Sequence, residues 1–388
     1  MKEAEGGRLV RLGVAGLPMA GKSTIMQAAA AWARIGVTGA GAAGKGAAAR
    51  GAPAPGSATP GRTGGAAMVV ARIPDARLDW LAELHHPQKV THATVEWIEL
   101  DKLEPARIEA VHRLDALALV VRAFDPEQAH VPHPAGSVDP VRDFEQLWQD
   151  WILMDWTQVQ SRIDRLRSAP SVPKAQRRDV ERELEVLARC LQALEAGKPL
   201  GLAELSADER ALLQGYSLVT FRPVVVAVNV DDSQAASGEF PGREALRQAA
   251  QGRAEAIVPV AGRLELELAE LDADSRQAFL ADLGLSTPVG VERLGEAAYR
   301  ACGFISFLTA GEDEVRAWTI TRGTPAREAA GKIHSDIARG FIRAEVVAFE
   351  DLRRAGSLAK ARETGLLRLE GKDYVVQDGD VIEFRFNV

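Results

Sequence analysis

Residues Gly16-Leu17-Pro18-Met19-Ala20-Gly21-Lys22-Ser23-Thr24 decide the fold class. The stretch follows a short apolar run with β-branched content, Leu9 to Ala15, and opens an alanine-rich helical segment running from Lys22 to about Arg34. Strand, glycine-rich turn and helix in that order make a phosphate-binding loop. Its glycines let successive backbone N–H groups wrap phosphate oxygens, and the helix that follows points its positive end at them. The pattern assigns phosphate contact to Gly16, Pro18, Met19, Ala20, Gly21, Lys22, Ser23 and Thr24. Lys22 is expected to reach the β- and γ-phosphates, and the Ser23 hydroxyl to ligate Mg²⁺. The expected ligand is a purine nucleoside triphosphate.

The rest of the chain suits such a site. Its 388 residues are 46% hydrophobic and 26% charged, the mix of a folded protein with two or three domains. No run approaches the roughly 18 to 20 apolar residues of a membrane span, so no membrane partner is expected. The N-terminal segment lacks the apolar core of a signal peptide. Cys190 and Cys302 stand far apart, which indicates neither a disulfide framework nor a zinc site. These features point to the cytoplasm; they leave the oligomeric state open.

A net charge of −7 argues against a uniformly basic nucleic-acid binder, but the charge is uneven. No acidic residue stands between Glu5 and Asp75, where Arg8, Arg11, Lys22, Arg34, Lys45, Arg50, Arg62 and Arg72 all lie. Such a region concentrates phosphate-bearing partners, and a nucleotide pocket accounts for that potential as readily as a separate nucleic-acid surface.

From Gly36 to Ala67 the sequence is dominated by Gly, Ala, Pro, Ser and Thr, a composition that reads as a flexible loop. Strands are expected at Met68–Ala71, Ala93–Leu100 and Leu117–Phe124, with helices at about Ala76–Leu84 and Pro105–Arg113. After Pro140, Ile152, Trp156, Val159, Ile163 and Leu166 recur at spacings of 4, 3, 4 and 3, as do Val180, Leu184, Leu187, Leu191 and Leu194. With the turn Ala169-Pro170-Ser171-Val172-Pro173 between them, they predict an antiparallel helical hairpin with coiled-coil-like seams. Strands return at Pro223–Val230 and Ala254–Val260. The last 85 or so residues alternate short strands, at Val315–Thr321, Ile342–Ala348, Lys372–Val376 and Val381–Phe386, with helices.

A metal-organising group is expected near the end of a neighbouring strand. Val95-Glu96-Trp97-Ile98-Glu99-Leu100-Asp101 puts Glu99 and Asp101 on one strand face as candidate Mg²⁺ groups beside Ser23. For the base, Asn229-Val230-Asp231-Asp232 directly follows the apolar run Val224–Val228. A carboxylate at Asp232 suits the N1–H and exocyclic amine of guanine, although such residues also form ordinary turns.

In these motifs the chain resembles the YchF family of Obg-like translational ATPases. The strongest likeness is C-terminal: Phe307–Gly311, Glu314–Thr319, Ile333–Asp336, Gly340–Val346 and Leu369–Val388 resemble the family's TGS domain, a ubiquitin-like β-grasp fold. The likeness also covers the P-loop, Pro74-Asp75-Ala76-Arg77-Leu78, Gly197-Lys198-Pro199-Leu200 and Glu265–Leu283. It implies a discontinuous G domain (1–140 and 200–302), a helical coiled-coil insertion (141–199), a TGS domain (303–388) and association with ribosomes or RNA. It also implies that Asn229, Val230, Asp232, Ala261 and Gly262 surround the base.

Several family features are absent. Switch I is replaced by the Gly/Ala tract, so Thr38, Thr59 and Thr63 all remain open for its metal-binding threonine. The Asp-x-x-Gly motif reads Glu99-Leu100-Asp101-Lys102, with lysine where the γ-phosphate-sensing glycine belongs. The segment holding the catalytic histidine is missing; His112 falls near it without motif support, and no catalytic residue is assigned. The family's Asn-x-x-Glu ends in Asp232, and its Ser-Ala-x segment becomes Ala261-Gly262-Arg263. These losses fall on water positioning and γ-phosphate sensing, and spare phosphate holding. The expectation is a protein that binds ATP or GTP with Mg²⁺ and hydrolyses it slowly or not at all. An active NTPase stimulated by the ribosome and a nucleotide-independent ribosome- or RNA-binding scaffold are the alternatives.

Overall fold

A computed structural model of the chain describes residues 9–38, 67–100, 111–125, 133–169, 173, 176–213, 215–285 and 290–387. Thr59, Thr63, Asp101, Lys102 and residues 170–172 of the expected turn Ala169–Pro173 lie outside them.

The first sheet has the order β2-β4-β1-β5-β6-β7. Its strands are β1 (Val10–Gly16), β2 (Met68–Arg72), β4 (Thr94–Glu99), β5 (Ala116–Arg122), β6 (Val224–Asn229) and β7 (Ala256–Val260). Only β2 runs antiparallel to its neighbour. Every residue of β5 and β6 is buried, as a parallel sheet covered on both faces demands. Alternation divides β5 cleanly. Ala116, Ala118 and Val120 face α1 (Lys22–Thr38) and α10 (Val291–Ala301); Leu117, Leu119 and Val121 face α3 (Pro140–Arg167) and α7 (Arg243–Ala250). Helix α1 runs four residues past Arg34, into the stretch expected to be loop from Gly36 onward; residues 39–66 are not described.

Asp139 caps α3 through the N–H groups of Val141 and Arg142, and Pro140 occupies the first turn. Helix α4 (Arg177–Glu195) packs antiparallel to α3, with Trp156 opposite Glu195 and Arg162 opposite Glu183. Val159, Ile163, Leu187 and Leu194 of the expected seams are buried, and Val186 and Cys190 join them. At the base of this pair, buried Asp155 accepts hydrogen bonds from Val219 N at 2.8 Å, Thr220 N at 2.7 Å and Thr220 Oγ1 at 2.6 Å. Burial pushes its carboxyl up to about 6, although all three donors pull the other way. Thr220 in turn accepts the N–H groups of Leu200 and Gly201, so one carboxylate links α3 and the chain leaving α4 to the turn that leads into β6.

The second sheet has the order β11-β10-β12-β8-β9-β3. It comprises β3 (Lys89–Thr91), β8 (Phe304–Ala310), β9 (Glu314–Thr321), β10 (Phe341–Ala348), β11 (Arg368–Glu370) and β12 (Asp380–Phe386). Phe307 stacks on Trp318 and meets Phe384 edge-on in its core. The strand expected at Lys372–Val376 is instead a turn with one bridge, Pro325 to Val375, in which Tyr374 N donates to the Gly371 carbonyl. The short β11 just before it was not anticipated.

Strand β3 comes from the N-terminal part of the chain, yet pairs in parallel with β9. Helix α2 (Ala76–His85), from the same segment, sets Trp80 edge-on against Phe349. Arg77 bridges Asp75 at 2.8 Å and Asp378 at 3.1 Å, and Asp378 accepts Ser306 N. The C-terminal sheet therefore sits on the two elements that connect β2 to β4.

Replacing Asp155 by Ala strands three buried donors. We expect a loss of about 3 kcal/mol in urea unfolding, against under ~0.5 kcal/mol for Asp164→Ala on the exposed face of α3.

Candidate functional site

The phosphate-binding loop stands at the carboxyl end of β1, the middle of three adjacent parallel strands. The strand can end there only as glycine, since a Cβ at Gly16 would lie 2.6 Å from the Val120 carbonyl oxygen. The loop then turns through positive φ at Met19 (62°) and Gly21 (92°) before α1 begins. Met19, half exposed at the loop tip, holds a left-handed conformation that costs a side-chain-bearing residue strain, a pattern that clusters at ligand-gripping turns. Helix α1 has no acidic residue in its first turn, so its positive end remains available to an anion. The Lys22 ammonium reaches back to the carbonyls of Gly16 at 3.0 Å and Leu17 at 3.1 Å, fixing a positive charge across the loop.

Glu99, the last residue of β4, accepts a 2.6 Å hydrogen bond from Ser23 Oγ. A hydroxyl and a carboxylate oxygen from two neighbouring elements thus converge beside the loop, a hard-oxygen pair of the kind Mg²⁺ selects. Of the two sequence candidates, Glu99 is therefore placed beside Ser23, and Asp101 lies outside the described residues.

Asn229 ends β6 and spans the site. Its Nδ2 donates to Ala20 O at 3.0 Å, its Oδ1 accepts Gly262 N at 3.4 Å, and its own carbonyl accepts the N–H groups of Ala123 and Phe124. Gly21 is obligatory opposite it, since a Cβ there would collide with the Asn229 amide. Ala261 and Gly262 open α8 (Gly262–Glu270), which seats against Thr24 and Ile25 of α1. Val230 is buried in the core, with its N–H on Val260 O. Asp231 caps α6 (Asp232–Ser237) in a reciprocal box with Gln234. Asp232 is exposed in the first turn of α6. Partial desolvation, then the charges of Glu267 and Asp231, raise its carboxyl above the usual range, and Arg263 pulls it back. The structure thus gives Asn229 and Gly262 contacts with the P-loop and α1, sets Ala261 just before α8, and leaves Asp232 at the outer edge.

On the side of β1 away from Glu99, the end of β5 adds a group the sequence did not single out. Arg122 is buried with its guanidinium 4.1 Å over the Phe124 ring, and burial lowers its pKa. Nearby, buried Asp143 pairs with His133 Nε2 at 2.9 Å and with Arg142 at 2.9 Å. Because His133 Nδ1 accepts Ala135 N, the ring proton belongs on Nε2, directed at Asp143. Only the buried Arg in an otherwise apolar strand signalled this cluster in the sequence. His112 lies away from it, at the other end of β5, where its carbonyl accepts from Arg222.

This geometry has counterparts among known proteins. The Ribosome-binding ATPase YchF of Bacillus subtilis (strain 168) is 36% identical over 387 residues, covering 97% of this chain and 99% of that protein. The chain belongs to the YchF family. A YchF GTPase C-terminal family model, described as a protein of unknown function (DUF933), matches residues 304–387. The Ribosome-binding ATPase YchF of Escherichia coli O157:H7 is 34% identical over 388 residues, covering 97% of this chain and 99% of that one. The solved structure of the Schizosaccharomyces pombe YchF GTPase superposes with a TM-score of 0.78 at 25% identity, covering 98% of each chain. The mixed α/β architecture with a distinct C-terminal region is thus that of the YchF family.

Gly21→Ala should cost roughly 2 kcal/mol or more of stability through strain and collision with Asn229. Introducing it into an Asn229→Ala background removes the collision but not the positive φ. A double-mutant cycle by thermal unfolding should therefore show a coupling of about 1 kcal/mol.

Proposed function

We propose that this YchF-family protein binds a purine nucleoside triphosphate with Mg²⁺, associates with the ribosome, and by itself hydrolyses the nucleotide slowly or not at all. The observation that carries the reading is the pairing of Ser23 with Glu99 beside an intact loop, while Lys102 follows where the family has its sensing glycine. The printed names of the relatives, ribosome-binding ATPases, support the two partners. Ribosome association implies a cytoplasmic location.

In this reading the backbone N–H groups from Met19 to Thr24 and the Lys22 ammonium hold the phosphates. Mg²⁺ supplies charge neutralisation between phosphate oxygens when bound, with Ser23 as ligand and Glu99 orienting its water shell. Asn229 fixes the base-side loop to the phosphate loop, Ala261 and Gly262 border the base, and Asp232 at the edge offers the carboxylate that distinguishes guanine from adenine. Holding phosphates is separable from cleaving them, because transfer also needs an oriented water and a group that answers to the γ-phosphate. Residues 1–140 and 200–302 form the nucleotide part, 141–199 a helical insertion, and 303–388 a TGS-type module that meets RNA or ribosomal protein.

Lys22→Ala should remove measurable MgATP and MgGTP binding in calorimetry while leaving the fold intact by circular dichroism. In competition of ATP against GTP, Asp232→Ala should shift the preference away from GTP relative to wild type; an unchanged preference would remove Asp232 from base reading. Unchanged ribosome co-sedimentation together with no nucleotide affinity in the wild type would replace this reading with a nucleotide-independent scaffold. Turnover that appears only with ribosomes would replace slow hydrolysis with partner stimulation.

A further inference from the structure

Glu265 lies one turn into α8 and is only 1% exposed, yet neither of its carboxyl oxygens has a hydrogen-bond partner. It sits at the junction of three helices. From α1 the Trp32 Nε1, itself without a partner, faces it, and from α10 the Val291 N–H does. That N–H opens α10 behind Gly290, which has no side chain to cap it. A cavity of about 10 Å³, bordered by Trp32, Arg72, Val291 and Glu292, adjoins the junction and has room for roughly one water. The other charged groups around it are Glu292 and, beyond it, Glu296 on α10, Arg72 on β2, Asp79 on α2, and Arg276 on α9 (Ala273–Asp282), which lies over the Trp32 ring. Arg263 and Glu267 of α8 pair with each other on its exposed side.

The three helices matter because two of them build the nucleotide site. Helix α1 carries Lys22 and Ser23 at its start, and α8 begins with Gly262, packed on Thr24 and Ile25 and bonded to Asn229. We propose that the Glu265 carboxyl is a positioning group: it sets the seat of α8 against α1 and α10, and so the span between the phosphate end and the base end of the pocket. The inference rests on the nucleotide-site reading above.

The carboxyl does this as a neutral group. Burial, then the charge of Glu292, pushes it up to about 7 from an ordinary 4.5, while Trp32 and Val291 pull it down. Below that value the neutral carboxyl lies beside both donors without adding charge. Above it, a second negative charge stands beside Glu292 in a buried junction, and relief requires α8 to move off. The unfolded carboxyl loses its proton near 4.5, so stability from this junction declines as pH rises from there through about 7. Nucleotide affinity should decline across the upper part of the same window.

The test is the affinity of the full chain for MgADP by calorimetry from pH 6 to 8, with thermal melts alongside, in wild type, Glu265→Gln and Glu292→Gln. The fraction of neutral carboxyl falls about tenfold over that range, so wild-type affinity should weaken by up to roughly tenfold. Glu265→Gln, neutral throughout, should keep the low-pH affinity and lack this decline; comparing the two cancels the ionisation of the nucleotide. Glu292→Gln, should the first variant fail to fold, moves the midpoint to lower pH by removing the neighbouring charge. A decline of equal size in wild type and Glu265→Gln, or an unmoved midpoint in Glu292→Gln, would overturn the proposal. No affinity at any pH would instead refute the nucleotide-site reading itself.

Discussion

The close approach of Asn229 to the turn at Ala20 and Gly21 holds the site together. One amide side chain at the end of β6 bonds the phosphate loop, the start of α8 and, through its backbone, the end of β5. It can do so only because Gly21 has no Cβ and accepts a φ of 92°. Parallel strands place all of these ends on one edge of the sheet, where α/β folds bind ligands. The buried, alternating β5 and β6 supply the rigidity, so the loop strain at Met19 is borne by the sheet rather than by the ligand.

The same sheet is tied to the C-terminal region through a short piece of chain. Between β2 and β4, the segment 73–93 supplies α2 and β3, and both pack on the second sheet. Arg77 holds this joint by clasping Asp75 and Asp378. Three residues after Thr91 the chain enters β4, which ends at Glu99 beside Ser23. The strand that ends at Glu99 and the edge of the C-terminal sheet are thus neighbours in sequence, which places the two halves of a YchF-family protein in direct covalent continuity.

The parts legible in the sequence were those that repeat with a period or need a special residue. Gly16, Gly21 and Lys22 announced the loop, the apolar run Val224–Val228 announced a doubly covered strand, and the 4-3-4-3 spacing announced the paired helices. What stayed hidden depends on long-range company. Nothing local says that Lys89-Val90-Thr91 pairs with Glu314–Arg316, or that Asp231 rather than Asp232 caps the helix after β6. The Arg122–Phe124 stack forms where β5 ends, and the His133–Asp143 pair joins a loop to the first turn of α3; neither follows from a hydrophobic period. Gly371 and the turn around Tyr374 displaced the expected strand at Lys372–Val376 by the same logic: a backbone hydrogen bond outweighed a modest β-propensity. Glu265 stood within a segment of family likeness, but only its burial beside Glu292 gives it a distinct chemical character.

We propose that this pocket holds a nucleotide better than it cleaves it. Single-turnover hydrolysis of MgATP or MgGTP prebound to excess protein, without ribosomes, tests it most directly. Conversion should be no faster than about 10⁻³ s⁻¹, the scale of a P-loop protein lacking its completing groups, with most of the nucleotide recovered as triphosphate at early times. Conversion near 1 s⁻¹, abolished by Lys22→Ala, would contradict it.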